Sequence, residues 1–145
     1  MINNKYKVYT DGGSRGNPGN SAIGFVVLHN DNEIFRYKKC IGIATNNIAE
    51  YTALIYALTY LKKTNIKGEI TCFLDSELVV KQLLGIYKVK DDKILKLFTI
   101  VKNLQVELKS ITFVNVPRAQ NKIADKLVNL ALDKDPNPPK LIPNF

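Results

Sequence analysis

Residues 5–10 (KYKVYT) alternate between apolar and polar positions and are rich in β-forming side chains, which predicts a first strand. Residues 11–20 (DGGSRGNPGN) crowd Gly, Asn and Pro together and predict a loop. Residues 21–28 predict a second strand, Asn30-Asp31-Asn32 a turn, and residues 33–43 a third strand, so the chain opens as a meander. From Asn47 the period changes. Ile48, Tyr51, Leu54, Ile55, Leu58 and Leu61 recur at helical spacing, with Thr45, Asn46 and Asn47 as candidate caps. Residues 69–74 (EITCFL) predict a fourth strand that runs into Asp75-Ser76 at a helix start, and residues 78–84 continue that helix to Gly85. A further helix is predicted over residues 93–108 and a fifth strand over 111–116. A last helix follows Pro117, with Ile123, Leu127, Leu130 and Ala131 on one face. Residues 1–134 then form one domain, and the Pro-rich residues 135–145 an irregular tail.

The order βββαβααβα is not a strict strand–helix alternation. It predicts an α/β fold on a five-stranded mixed sheet, an antiparallel meander joined to parallel strands by right-handed crossovers, with helices on both faces. Functional sites in such sheets gather at strand ends. The 145 residues suit a single domain with a core of its own. Charge adds a hint about partners: 21 Lys+Arg against 13 Asp+Glu leave a formal +8, and a basic surface attracts polyanions, of which nucleic acid is the commonest. Lysines that merely keep a protein soluble would give the same count. Cys40 and Cys72 stand singly in apolar runs, as small core residues do, without the spacing of a disulfide framework or a zinc site. Neither a signal-peptide pattern at residues 1–10 nor a membrane-spanning apolar stretch is visible, so the expected compartment is the cytoplasm.

Four acids stand in unusual company. Asp11 ends the first strand, Asp75 ends the fourth, Glu50 lies one turn into the first long helix in a buried register, and Asp125 lies in the last helix among Ile123, Ala124 and Leu127. Taken singly, three of them have an ordinary reading: Asp11 as a turn former, Asp75 as a helix cap, Asp125 as a partner of Lys122 or Lys126. Together they suggest a cluster, because carboxylates near a core are costly unless neutralised. A hard divalent cation with oxygen ligands would neutralise them. Two such ions about 3.5–4 Å apart can drive an in-line phosphoryl displacement.

The surrounding blocks carry a resemblance. Tyr9-Thr10-Asp11-Gly12-Gly13-Ser14 with Gly16-Asn17-Pro18-Gly19, then Thr45 to Glu50 (TNNIAE), then Asp75-Ser76, then Val116 to Asp125 (VPRAQNKIAD), resemble in order the signature blocks of the type 1 ribonucleases H. The match runs over residues 5–132. The resemblance implies the ribonuclease H-like fold and hydrolysis of the RNA strand of RNA–DNA hybrids, leaving 5′-phosphate and 3′-hydroxyl ends without a covalent intermediate. It implies a catalytic and metal-binding set of Asp11, Glu50, Asp75 and Asp125 around two Mg²⁺ or Mn²⁺ ions, with Asp11 bridging them. It further implies that the Gly-rich segment with Gly12, Gly13 and Asn17, together with Asn46, contacts 2′-hydroxyls and backbone, which is how RNA is told from DNA without reading sequence, and that Thr45 and Asn46 belong to a pocket for a DNA-strand phosphate.

Two departures refine the expectation. The histidine that many relatives carry shortly before the last aspartate is missing; the chain's one histidine, His29, falls at a strand end beside a turn and reads as a surface residue. Val116-Pro117-Arg118 instead resembles an archaeal and bacterial subgroup with an arginine in this region, which makes Arg118 the candidate for the auxiliary role, by contact with phosphate. The long basic protrusion of some relatives is also missing: residues 85–93 (GIYKVKDDK) are compact, although Tyr87, Lys88 and Lys90 could touch a duplex. Enzymes of this compact type sometimes take double-stranded RNA as a side substrate. No obligate protein partner is expected. The rival readings are an integrase, transposase or junction resolvase on the same scaffold, a hybrid-binding protein with a dead site, and a domain of a longer reverse transcriptase; the chain's start and tail favour a free-standing enzyme.

Overall fold

The structure, a computed structural model, describes residues 4–134. Three antiparallel strands, β1 (Lys5–Gly16), β2 (Gly19–His29) and β3 (Asn32–Ala44), lead into α1 (Asn46–Lys63). Then follow β4 (Glu69–Leu74), α2 (Glu77–Leu83), α3 (Asp92–Leu108), β5 (Ile111–Asn115), a short 3₁₀ turn at Arg118–Gln120, and α4 (Lys122–Lys134). The sheet order is β3-β2-β1-β4-β5, with β4 parallel to both β1 and β5. The expected five-stranded mixed sheet is therefore the one observed, and β1 and β4 are neighbours.

The Gly-rich segment differs from its expectation as a loop. The β1–β2 ladder continues from Asp11↔Gly24 to Gly16↔Gly19, so only Asn17-Pro18 is left to turn the chain. Glycines weaken strand propensity, but pairing with β2 along the whole length overrides it. The last helix also turns a different face inward. Ala124, Leu127, Val128, Ala131 and Leu132 are buried, whereas Ile123 is 46% exposed. Ile123 lies in the first turn of α4 and lines a partly open cavity beside Tyr9, Val26 and Leu28.

Helix α1 is buried around much of its circumference because it packs on β1 and β2 with one side and on α3 with another. Leu54, Leu58 and Leu61 join Val8, Ile70, Cys72 and Leu74 in the main core, while α4 seals the opposite face of the sheet through Ala22, Cys40 and Val128. Two glycines set how closely these helices sit. A Cβ on Gly12 would come within 2.1 Å of the Ala49 backbone in α1, and a Cβ on Gly24 within 2.7 Å of Leu127 Cβ and 2.8 Å of the Ala124 carbonyl in α4. Gly24 is paired with Asp11, so α4 crosses the sheet directly beside that residue.

Candidate active site

Asp11 belongs to the face of β1 that α4 covers, as alternation from Gly13, which faces Val128, requires. Glu50 arrives from the other face, on α1. It can pass between because β4 stops at Leu74, leaving the Gly12 N–H without a ladder partner on that side; Gly12 N–H donates to Glu50 Oε1 at 2.9 Å. Asp75 stands one residue beyond the end of β4. The carboxylates of Asp11, Glu50 and Asp75 each offer an oxygen within 4.8 Å of the other two. Asp125, in the first turn of α4, and Arg118, in the 3₁₀ turn, line the same cleft of about 410 Å³.

The ordinary readings of the acids do not hold here. Ser76, not Asp75, caps α2 by accepting from Val79 N–H at 3.3 Å. Asp125 forms no ion pair with Lys122 or Lys126, and none with any other described residue.

Burial and mutual repulsion dominate the electrostatics. Asp11 is 4% and Glu50 6% exposed. Burial, reinforced by the charges of Asp75 and Asp125, pushes the Asp11 carboxyl up to about 7, against the opposing pull of its bond to Glu50 and of Arg118. Glu50 is held well above the ordinary carboxyl range by burial and by the facing Asp11, with Gly12 N–H pulling the other way. The two carboxyls are close enough to share a proton when no cation is bound. With both ionised, buried Glu50 Oε2 has no hydrogen-bond partner among the described residues. An orphaned anionic oxygen inside an all-oxygen donor set is what a hard divalent cation would satisfy.

The residues expected to touch substrate bind one another at the mouth of this cleft. Asn17 Oδ1 accepts from Asn46 N–H at 2.9 Å, Asn46 Oδ1 accepts from Ser14 N–H at 3.0 Å, and Thr45 caps α1 by accepting from Ile48 N–H at 3.2 Å. The hairpin tip is thereby tied to the start of α1. The carboxamide nitrogens of Asn17 and Asn46 make no bond to any described residue and remain available as donors. Gly12 also has a structural reason to lack a side chain: a Cβ there would meet the Ala49 backbone, so its absence admits α1.

Three residues escaped the sequence reading. Gly24 carries no motif, and only the pairing with Asp11 reveals it. Asn121 sits inside a signature block but was assigned no role. Arg15, in the hairpin, reaches across to α4 to pair with Asp133 at 2.6 Å, beside Asn129. His29 is less exposed than expected, stacked on Tyr6 with ring centroids 4.5 Å apart and bonded to Asn4 at 2.9 Å. Both cysteines are buried, as expected. No helix among the described residues is long and apolar enough to cross a membrane.

A mixed sheet in the order 3-2-1-4-5, with a carboxylate cluster where the parallel pairing of β1 and β4 ends, defines the ribonuclease H-like class. Residues 9–131 match the family model described as reverse transcriptase-like. The chain is 42% identical over 131 residues to a bifunctional protein of Mycobacterium tuberculosis, a match covering 89% of this chain and 36% of that one. It is 40% identical over 126 residues to ribonuclease HI of Halobacterium salinarum, covering 86% and 63%. The crystal structure of LC11-RNase H1 in complex with an RNA/DNA hybrid superposes with a TM-score of 0.87 at 39% identity, over 91% of this chain and 99% of that one. The chain belongs to the type 1 ribonuclease H family. It spans little more than a third of the mycobacterial relative it matches.

Proposed function

We propose that this protein hydrolyses the RNA strand of RNA–DNA hybrids as a metal-dependent endonuclease, leaving 5′-phosphate and 3′-hydroxyl ends. The observation that carries the reading is the convergence of Asp11, Glu50 and Asp75 within 4.8 Å, with a buried Glu50 oxygen left unpartnered. The likeness to LC11-RNase H1, whose structure holds an RNA/DNA hybrid, supports the substrate class. Asp11, Glu50, Asp75 and Asp125 would hold Mg²⁺, with Mn²⁺ as the alternative. Such ions, when bound, supply an activated water and stabilise the leaving oxygen.

The protein's own residues do the rest. Glu50 is oriented by Gly12 N–H, so its second oxygen faces the cluster. Arg118 supplies positive charge at the cleft wall next to Asp11 and is suited to a non-bridging phosphate oxygen or the leaving group. The free amide nitrogens of Asn17 and Asn46, with the Gly12–Gly13 and Thr45 backbone nearby, are suited to the 2′-hydroxyls and sugar–phosphate backbone. Residues 1–134 constitute the catalytic domain in this reading; the proposed tail at 135–145 lies outside the described residues.

The deciding experiment is cleavage of end-labelled RNA–DNA, RNA–RNA and DNA–DNA duplexes with Mg²⁺ or Mn²⁺, with end-group analysis of the products. Cutting of the RNA strand of the hybrid alone, to 5′-phosphate ends, bears the proposal out, and added RNA–RNA cleavage extends it to the compact type's side activity. Hybrid binding without cleavage in either metal sinks the catalytic reading and leaves a binding module. Cleavage of DNA–DNA points to the resolvase and integrase class.

A further inference from the structure

Asn121 has no part in the scheme above, yet its bonds reach the backbone before Asp11, the Asp75 side chain and the backbone of Arg118 and Asp125. Its side chain is almost wholly inaccessible, at 1% exposure. Nδ2 donates to the Thr10 carbonyl at 2.8 Å, on the residue preceding Asp11, and reaches Asp75 Oδ2 at a longer 3.4 Å. Its backbone N–H donates to the Arg118 carbonyl at 2.9 Å, and its own carbonyl accepts from Asp125 N–H at 3.1 Å. An asparagine directly before a helix ordinarily turns its side-chain oxygen onto the first-turn amides. Here the carboxamide points away from α4, toward β1 and β4, and its buried Oδ1 has no partner among the described residues. Leaving that oxygen unpaired carries a cost, so a role in capping alone does not account for the geometry.

We propose that Asn121 is a positioning residue for the carboxylate cluster, holding one oxygen of Asp75 in register with the Thr10–Asp11 backbone so that the other is free to bind a divalent cation. The proposal rests on the reading of these carboxylates as a metal site. It assigns Asn121 to metal affinity and not to hybrid binding.

The test uses Asn121→Ser, which offers a capping oxygen at the start of α4 but cannot span to Asp75, with Asn121→Ala beside it. The Mg²⁺ concentration giving half-maximal thermal stabilisation is measured for each, along with the hybrid Kd in EDTA. The expected result is a midpoint raised about tenfold, with hybrid Kd within about twofold of wild type, since one charge-assisted bond is lost. On an Asp75→Asn background the same substitution should move the midpoint little, because the two act through one contact. An unchanged Mg²⁺ midpoint in Asn121→Ser, or an undiminished shift on the Asp75→Asn background, overturns the assignment. A wild-type protein that Mg²⁺ fails to stabilise instead sinks the underlying metal-site reading. Should Asn121→Ala not fold, the Ser variant carries the comparison alone.

Discussion

At Asp11, burial and the neighbouring charges of Asp75 and Asp125 favour the proton, while the bond to Glu50 and the Arg118 guanidinium oppose it. Because the folded carboxyl titrates near 7 and the unfolded one near 3.8, the metal-free folded state holds more protons between these values. Its stability therefore falls as pH rises from about 4 through 7. Asp11→Asn removes the titration, so its thermal midpoint in EDTA should exceed that of wild type by a margin that grows over this range. Parallel melting curves check it, and a margin independent of pH would refute the account. The same variant should lose Mg²⁺-dependent cleavage about a thousandfold or more, the scale of a lost metal ligand. Arg118→Ala should keep the fold and lower kcat by about tenfold, with the pH profile retained, because one charged contact is removed. An unchanged kcat would return Arg118 to the solvent. The four acids were legible from sequence because apolar residues precede or surround them, whereas Arg118 was reached only through the resemblance carried by Val116-Pro117-Arg118. Asn121 was not legible, since its partner Thr10 lies 111 residues away and no local pattern encodes such a contact.

Among the elements, periodicity exposed α1 and β4 because each has a strongly apolar composition: Leu54, Leu58 and Leu61 in one, EITCFL in the other. The β1–β2 hairpin was hidden by its own glycines. A strand built partly from Gly12, Gly13 and Gly16 is defined by what pairs and packs against it, which sequence does not display. The inward face of α4 was misread for a related reason. Ile123 is apolar, but in the first turn of the helix the smaller Ala124 takes the buried position and Ile123 stays half exposed. Gly24 tests the packing argument. In Gly24→Ala, the new methyl group would meet Leu127 Cβ and the Ala124 carbonyl, so α4 must lift. The expected cost is about 1–3 kcal/mol by urea unfolding, with Mg²⁺ affinity weakened in step as Asp125 moves from the cleft. Full stability in this variant would mean that α4 does not sit as closely as described.

For the molecule as a whole, the +8 charge sets how hybrid affinity responds to salt. A basic protein that reads backbone and not bases should lose hybrid affinity about tenfold or more between 50 and 200 mM KCl, with little dependence on base sequence. Filter binding in EDTA measures both, and a flat salt response would remove the phosphate contacts from the proposal. The carboxylates have one more consequence. Glu50 stands on a helix that covers one side of the sheet, Asp125 on a helix that covers the other, and Asp11 and Asp75 on the strands between. Cations held among these four carboxylates would act as a rivet driven through the three layers. Loading the centre should then slow amide hydrogen exchange in α4 and in the first turn of α1, well beyond the ligands themselves, so that the proposed reactive point would double as the fastener of a covering helix.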